Sequence, residues 1–311
     1  MKPPILPTLV LLFSLFHSLP AQEEGEAWHG DYATGVAEAT EEGKDILLVF
    51  TGTDWIDISR RFYDEILRRP DFIDPVSEEF VLVKLEYPKD DKQPRQESAR
   101  KRVLRDAYRV RGFPTVVLTD SEGRPFGFNG YQPVSPGEYA EMTMKMHAAR
   151  EEGLAAAKEA ADLSGAEKAD KLSAGIPELP GSLAARFYRE EMEAVVEADP
   201  DETLERTRTY RKMMADVDYG DEMQRLEQDV RWGEMIELTE RFIDENELEG
   251  PALQKALLIK AGVQEKQGNT AGVIQTLLEI VKIDPETAFA TDAQKQLDGF
   301  RAERLEEDLV P

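Results

Sequence analysis

The chain has 311 residues, of which 63 are Asp or Glu and 38 are Lys or Arg, so its formal net charge is -25. Binding to nucleic acid through phosphates needs a basic surface, and this balance argues against a nucleic-acid partner. It also disfavours attraction to an anionic membrane surface. Hydrophobic residues make up 41% of the chain, which is enough for globular cores, and the length predicts about two domains.

The first 21 residues have the pattern of a secretory signal peptide. Lys2 supplies a positive charge, an apolar run extends from Ile5 to Phe16, and residues 19–21 form a plausible cleavage site. The apolar run is too short for a membrane-spanning helix. We therefore expect residues 1–21 to be removed and the protein to be secreted or periplasmic, with no membrane insertion after cleavage. An uncleaved membrane anchor is the alternative.

The mature chain begins with a helix and a buried strand. Trp28 precedes Tyr32, Val36 and Ala39, which recur at helical spacing. We expect Trp28 to pack beneath this helix. Ile46 to Phe50 is a continuous apolar run, which is typical of a strand buried on both faces.

A tight turn follows that strand. Residues 51–59 are Thr-Gly-Thr-Asp-Trp-Ile-Asp-Ile-Ser, and apolar residues then recur at helical spacing as far as Leu67. A buried strand, a turn through Gly52 and a helix that starts near Trp55 place this loop at the carboxyl edge of a sheet. Open α/β sheets bind their ligands at that edge, so the turn is the first candidate for a functional site.

The next segments complete an α/β domain, which we place at residues 22–148. Asp-Ser-Glu-Gly at residues 120–123 is a strong hairpin signal between two strands. Alternation of strands and helices predicts a mixed sheet flanked by helices. The predicted segments are a strand at 80–85, a helix at 99–108, a strand at 114–119, a return strand at 126–128 and a helix from Pro136.

Strand patterns end near residue 148, and residues 149–311 predict an all-helical domain. Gly268-Asn269 resembles the turn between the two helices of a tetratricopeptide-like repeat. Asp199-Pro200 and Asp284-Pro285 each predict a helix end. A plain helical bundle is the alternative. The predicted helices are 183–198, 202–215, 223–230, 232–245, 251–267 and 270–283.

The turn at residues 51–59 resembles the active-site junction of thioredoxin-fold proteins, in the variant T-G-S-D-W-C-x-x-C. A second motif, Arg111 to Thr115 followed by the strand Val116 to Leu118, resembles the other half of that site. The likeness runs from about Trp28 to about Met146. It implies a thioredoxin-like α/β domain in which Pro114 is cis and faces the two cysteine positions.

The departure from that family lies in the thiols. The two cysteine positions fall at Ile56 and Ser59, and the chain contains no cysteine. Disulfide exchange requires a thiolate that attacks a disulfide sulfur. The buried acid that assists proton transfer in many thioredoxins would fall at Phe50. Thiol–disulfide oxidoreductase activity is therefore excluded by the chemistry of the side chains.

The resemblance also implies a polypeptide-binding groove. Active relatives hold an extended polypeptide by backbone pairing at the residue before the cis-proline. Here the groove would be bordered by Trp55, Phe113, Pro114, Thr115 and Tyr131. This geometry could persist without cysteines, or Ile56 could fill the groove.

Other chemistry has weaker support in the sequence. We expect Asp54 and Asp57 to cap the helix rather than form a catalytic pair. His29 and His147 are far apart and lie near no cysteine, so no metal is expected. The sequence has neither G-x-x-x-x-G-K-[ST] nor G-x-G-x-x-G to hold a nucleotide phosphate, so no cofactor is expected. A non-redox enzyme could use Ser59 or Asp57, with His147 approaching Ser59 in space.

The leading interpretation is a redox-inactive thioredoxin-like protein joined to a helical repeat. It would bind or scaffold protein or peptide partners in the cell envelope through the groove, the helices or both. One alternative is the non-redox enzyme at Ser59 and Asp57. The other is a purely structural domain that caps the helical array.

Overall fold

The computed structural model describes residues 27–90 and 93–307, with side chains as far as residue 302. The expected signal peptide at residues 1–21 lies outside the described residues. Within the described part of the chain, no helix is both long enough and apolar enough to cross a membrane.

Five strands form one mixed sheet in the order β1-β3-β2-β4-β5. The central strand β2 lies parallel to β3 and antiparallel to β4, while β5 returns antiparallel to β4. The expected mixed sheet is confirmed. The strands are β1 Trp28–His29, β2 Asp45–Thr51, β3 Phe80–Glu86, β4 Thr115–Thr119 and β5 Pro125–Gly130.

Alternate residues of the sheet build two separate cores, because successive side chains of a strand point to opposite faces. On the first face, Leu47 and Val49 pack with Phe62, Phe72 and Tyr139. The second face carries Ile46, Leu48 and Phe50, which pack with Ala39, Tyr108 and Leu183. A strand buried on both faces explains why β2 is an uninterrupted apolar run.

Helices cover both faces of the sheet and then continue alone. The predicted helix 183–198 is interrupted at Tyr188, and the predicted helices 202–215 and 223–230 are one continuous helix. The helices are α1 Tyr32–Glu42, α2 Asp57–Phe62 followed by a π-helical turn Tyr63–Leu67, α3 Pro70–Val76, α4 Arg95–Ala107, α5 Pro136–Lys158 followed by a 3-10 turn Glu159–Asp162, α6 Gly165–Ala174, α7 Gly181–Phe187, α8 Arg189–Ala198, α9 Glu205–Gln228, α10 Trp232–Glu245, α11 Gly250–Lys266, α12 Thr270–Ile283 and α13 Ala288–Glu307.

Trp28 does not lie beneath α1, contrary to the expectation. Its ring stacks on Phe72 of α3, and its Nε1 donates a hydrogen bond to the Leu67 carbonyl at 3.3 Å. Trp28 belongs to an edge strand whose alternation directs it to the first face, whereas Ala39 of α1 packs on the second.

The helical region is anchored on the second face of the sheet by α7 and α8. Leu183 is buried against the sheet, and Phe187 stacks on Tyr108 with 5.9 Å between ring centroids. The Tyr188 hydroxyl donates a hydrogen bond to the carbonyl of Pro125 in β5. The two parts of the chain therefore share an apolar interface.

Beyond α9, helices that are adjacent in sequence pack against one another. Asn269 caps α12 by accepting a hydrogen bond from the Gly272 amide, and Gly268 adopts a positive φ of 77° in the preceding turn. Both Asp-Pro pairs follow helix ends, as expected, because α8 ends at Ala198 and α12 at Ile283.

Candidate functional site

The candidate site starts at the turn that follows β2. The Ile56 amide donates to the Gly52 carbonyl at 2.9 Å and closes the turn. A Cβ atom on Gly52 would lie 2.6 Å from Nε1 of Trp55, so the indole can lie against the turn only because residue 52 is glycine. That Nε1 donates to the Tyr87 carbonyl at 2.8 Å. Trp55 remains 46% exposed, which leaves a fixed aromatic surface open to solvent.

Two carboxylates tie this turn to the end of β3 and to the loop that follows it. Asp54 accepts a hydrogen bond from the Lys89 amide at 3.1 Å, and Glu86 accepts one from the Thr53 amide. Asp54 therefore does not cap α2, contrary to the expectation; helix α2 begins at Asp57 without a side-chain cap. The parallel strands β2 and β3 end side by side, so an acid in one loop can satisfy amides of the other.

Asp57 lies in the first turn of α2, where a negative charge is favoured by the helix dipole. Its carboxylate pairs with Arg60 at 2.6 Å, and its side chain is almost fully exposed. A carboxylate that is solvated and already paired with an arginine has no feature of a general base held against a substrate.

Phe113 is the part of the second motif that contacts the turn. The Phe113–Pro114 peptide bond is cis, as the resemblance implies. The Phe113 ring packs edge-on against Trp55, with centroids 6.4 Å apart, and stacks on Tyr87 at 4.9 Å. Trp55, Phe113 and Tyr87 thus form one aromatic cluster beside the cis bond.

The main chain of Phe113 has no hydrogen-bond partner within residues 27–90 and 93–307. It lies just before β4, which begins at Thr115, so neither neighbouring strand reaches it. Most main-chain polar groups of a folded protein are paired or exposed to water. The N–H and C=O of Phe113 are therefore available to an extended polypeptide.

Thr115 and Tyr131 are less available than the sequence predicts. Thr115 is buried, its hydroxyl donates to the Gly112 carbonyl at 2.8 Å, and its main chain pairs with both β2 and β5. Tyr131 packs edge-on against Phe62 and its hydroxyl accepts a hydrogen bond from Arg61. Thr115 therefore lies within the sheet beneath the site, and Tyr131 packs on α2 beside it.

The two positions of the lost cysteines differ in exposure. Ile56 is half-buried, while Ser59 is only 1% exposed and its Oγ has no hydrogen-bond partner in the described part of the chain. A buried hydroxyl without a base is a poor nucleophile.

His147 does not approach Ser59. Its Nε2 lies 3.3 Å from the carboxylate of Asp45, at the start of β2. Ser59 follows the end of that strand, and its Oγ makes no hydrogen bond to a described residue. Six residues of strand correspond to about 20 Å, so the serine and the histidine lie at opposite ends of the sheet.

Tyr87 and Lys101 belong to the site but were not predicted. The Tyr87 hydroxyl donates to the Lys101 carbonyl at 2.7 Å, and burial raises the pKa of Tyr87. The buried Lys101 ammonium donates to the Glu86 carbonyl and pairs with Glu97 at 2.9 Å. The position of Tyr87, directly after a buried strand parallel to β2, was the signal that could have revealed it.

The first part of the chain is similar in sequence to known proteins. Residues 32–145 match the family model of the thioredoxin-like domain. The chain is 29% identical over 108 residues to the disulfide bond reductase DsbH of Chlamydia pneumoniae, covering 35% of this chain and 65% of that protein. It is 31% identical over 126 residues to the thioredoxin-related protein DsbJ of Chlamydia pneumoniae, covering 39% and 35%.

A solved structure of a DsbH oxidoreductase is 27% identical, covers 38% of this chain and 82% of that chain, and has a TM-score of 0.37. The chain spans less than two thirds of the length of both curated relatives. Unlike a protein that exchanges disulfides, this chain has no cysteine. Residues 32–145 therefore form a thioredoxin-like domain without redox-active thiols, followed by a multi-helix all-α region.

Proposed function

We propose that this protein binds an extended polypeptide beside the cis bond at Pro114 and does no disulfide chemistry on it. The segment would pair with the main chain of Phe113 and lie against the exposed indole of Trp55. Binding of this kind needs only the fold and the groove, so the loss of thiols removes the reaction and not the recognition.

The unpaired main chain of Phe113 is the observation that carries this proposal. Recognition by strand addition takes its affinity from main-chain hydrogen bonds and its specificity from neighbouring side-chain surfaces. Trp55 supplies such a surface, fixed by its hydrogen bond to Tyr87. Ile56 is half-buried and leaves the indole 46% exposed, which disfavours a groove closed by Ile56.

We place the protein in the cell envelope or outside the cell, on the signal-peptide pattern of residues 1–21. Its partners would be proteins or peptides of that compartment. One curated relative is a disulfide bond reductase and so acts on disulfide bonds; we infer that the present chain retains binding in place of that reaction. We keep the division into residues 22–148 and 149–311, and the tetratricopeptide-like repeat, as parts of this proposal.

Two alternatives have less support. A non-redox enzyme is disfavoured because Ser59 has no base beside it among the described residues and because Asp57 is exposed to solvent and paired with Arg60. A purely structural cap on the helical array would explain the interface at Leu183 and Phe187, which lies on the second face of the sheet. It would not explain an exposed, hydrogen-bonded Trp55.

The test is selection of binding peptides by the mature protein from a random library of about twelve residues, which spans roughly 40 Å when extended. Selected peptides are resynthesised with a fluorophore and titrated by anisotropy. The double variant Trp55→Ala/Phe113→Ala should weaken binding by about tenfold or more, since aromatic anchors dominate such interfaces.

The matched control is Val103→Ala/Leu278→Ala, which removes two exposed apolar side chains elsewhere. It should bind as the parent protein does, and circular dichroism should show that both variants are folded. Equal affinity of all three proteins would place binding outside the groove and contradict the proposal.

A further inference from the structure

A cavity of about 560 Å³ lies between the thioredoxin-like domain and the helical region. One wall is the loop from Arg109 to Arg111, which follows α4 and leads to Phe113. The opposite walls come from α7, α9 and α11. Ile259 of α11 contributes an exposed apolar side chain to the lining.

The charge of this cavity is opposite to that of the whole protein. Two carboxylates, Asp216 and Asp221, line it together with a larger number of cations. The chain as a whole carries 63 acidic and 38 basic side chains, so a local excess of cations is unusual for it. The lining cations are Arg109, Arg111, Arg186, Lys212 and Lys255.

Most of these cations are not neutralised by carboxylates. Asp221 pairs with Arg186 and lies 3.8 Å from Arg109. In the part of the chain that the structure describes, Arg111, Lys212 and Lys255 have no carboxylate within ion-pair distance.

Asp216 does not cancel the two lysines. One carboxylate can offset at most one of their two charges; burial raises the pKa of Asp216, and nearby Lys212 and Lys255 oppose that rise. The cavity therefore keeps unpaired positive charge.

Arg109 adds to the lining of this cavity a polar group that has no partner within residues 27–90 and 93–307. It has a φ of 53°, at a helix C-terminal position where glycine is favoured and a residue with a Cβ is strained. Its Nε is buried and has no partner among the described residues. Within the described structure, the Arg109 Nε–H is therefore a hydrogen-bond donor without an acceptor at the wall of the cavity.

We propose that this cavity binds the acidic part of the polypeptide that is held at Phe113, with carboxylates facing Lys212, Lys255 and Arg111. This inference rests on the proposed function, because it assigns the partner's chemistry at the same site. Arg111 is two residues from Phe113, which limits their separation to about 7 Å. An extended segment that pairs with Phe113 reaches the cavity within a few residues.

The partner is an acidic peptide rather than a long polyanion. A net charge of -25 repels a nucleic acid over its whole length, whereas a few carboxylates need only the local field of the cavity. Side-chain carboxylates are also suited to arginine and lysine donors on opposite walls. The adjacent Ile259 favours apolar residues next to the acids.

The experiment uses the full mature chain and the peptides selected from the random library. We expect the selected peptides to carry Asp or Glu on one side of an apolar or aromatic centre. Replacing those acids by Asn or Gln should weaken binding by about tenfold, and so should the variant Lys212→Gln/Lys255→Gln. The control Lys145→Gln/Lys158→Gln removes the same charge from exposed positions on α5 and should leave the affinity unchanged.

The outcomes separate this inference from the proposed function. Peptides without acids, or equal binding by Lys212→Gln/Lys255→Gln, would overturn the acidic specificity even if Trp55→Ala/Phe113→Ala abolished binding. Acidic peptides that depend on the lysines but not on Trp55 and Phe113 would support the basic cavity and overturn the groove. Failure to select any peptide would overturn both.

Discussion

Ile56 and Ser59 determine what the turn after β2 can do. Ile56 offers an apolar side chain and Ser59 a buried hydroxyl without a partner, at the start of a helix whose dipole would stabilise a thiolate. The turn keeps the cis bond and the helix start that the resemblance implies, while both cysteine positions and the buried acid position at Phe50 carry other side chains.

The variant Ile56→Cys/Ser59→Cys should therefore form an intramolecular disulfide. Positions three residues apart at a helix start bring their Cα atoms to about 5 Å, which a disulfide accepts. Oxidation with glutathione followed by alkylation and mass spectrometry measures the free thiols. The single variant Ile56→Cys is the control and should remain alkylatable, whereas two free thiols in the double variant would show that the turn is not built as a redox site.

Asp199 should make stability depend on pH in the acid range. It accepts hydrogen bonds from the hydroxyls of Thr207 and Thr203 and from the amides of Thr203 and Leu204, and these hold its pKa well below the usual range. A depressed pKa gives stability that is present above the unfolded-state value of about 3.9 and is lost as pH falls below it.

Urea unfolding between about pH 6 and about pH 3 tests this effect. Asp199→Asn should be less stable than the parent at the upper pH and should lose less stability on acidification. Asp201→Asn, an exposed neighbour, should retain the parent's pH dependence. Parallel curves for Asp199→Asn and the parent would contradict the assignment.

Among the elements, α5 joins the two parts of the chain. It runs from Pro136 to Lys158 without a break, so the proposed boundary at residue 148 falls inside a helix. Gly153 lets α6 approach it closely, because a Cβ at this position would lie 2.2 Å from the Ala174 carbonyl oxygen. The obstacle is backbone, which cannot move aside as a side chain does.

Gly153→Ala should thus lower the free energy of unfolding by roughly 1–3 kcal/mol through overpacking. Gly262→Ala in α11 meets no atom within 4 Å and should instead raise it by about 0.5–1 kcal/mol, from helix propensity. Thermal unfolding followed by circular dichroism compares the two. The prediction fails if both substitutions stabilise the protein equally.

Local patterns were sufficient for some elements and not for others. The apolar run of β2 and the turn at residues 120–123 were readable from a few adjacent residues, as were α10 and α12. The break at Tyr188 was not; there the Tyr188 hydroxyl donates a hydrogen bond to Pro125 of the sheet, which is distant in sequence. Residues that are distant in sequence form the basic cavity, so no local motif predicted it.

The same limit applies to the candidate site. Resemblance placed Trp55, Phe113 and Pro114 together, and the structure brings Trp55 and Phe113 into contact. The resemblance did not reveal that the Asp54 carboxylate accepts a hydrogen bond from the Lys89 amide, or that Tyr87 completes the aromatic cluster. Both depend on which loop lies beside the turn.

In the whole molecule, Arg124 links the sheet to the helical region. Its guanidinium donates twice to the Phe187 carbonyl, pairs with Glu191 and lies 4.0 Å from the ring centroid of Tyr188. These contacts, together with the apolar interface at Leu183, fix the wall of the basic cavity formed by α7.

Arg124→Ala should lower the free energy of unfolding by about 2 kcal/mol, since it leaves a carbonyl without its charged donor. Amides of α7 and α8 should exchange faster with deuterium, while those of β2 remain protected. Arg102→Ala, at an exposed position of α4, is the control and should change neither. Unaltered exchange in α7 after loss of Arg124 would mean that apolar packing alone holds the two parts together.

The main chain of Phe113 is the place where we propose that a polypeptide pairs with this protein. Amide hydrogen exchange followed by NMR, with and without a selected peptide, measures that pairing at a single residue. We expect the Phe113 amide to become protected when the peptide binds. Protection confined to amides of the helical region, with the Phe113 amide unchanged, would contradict it.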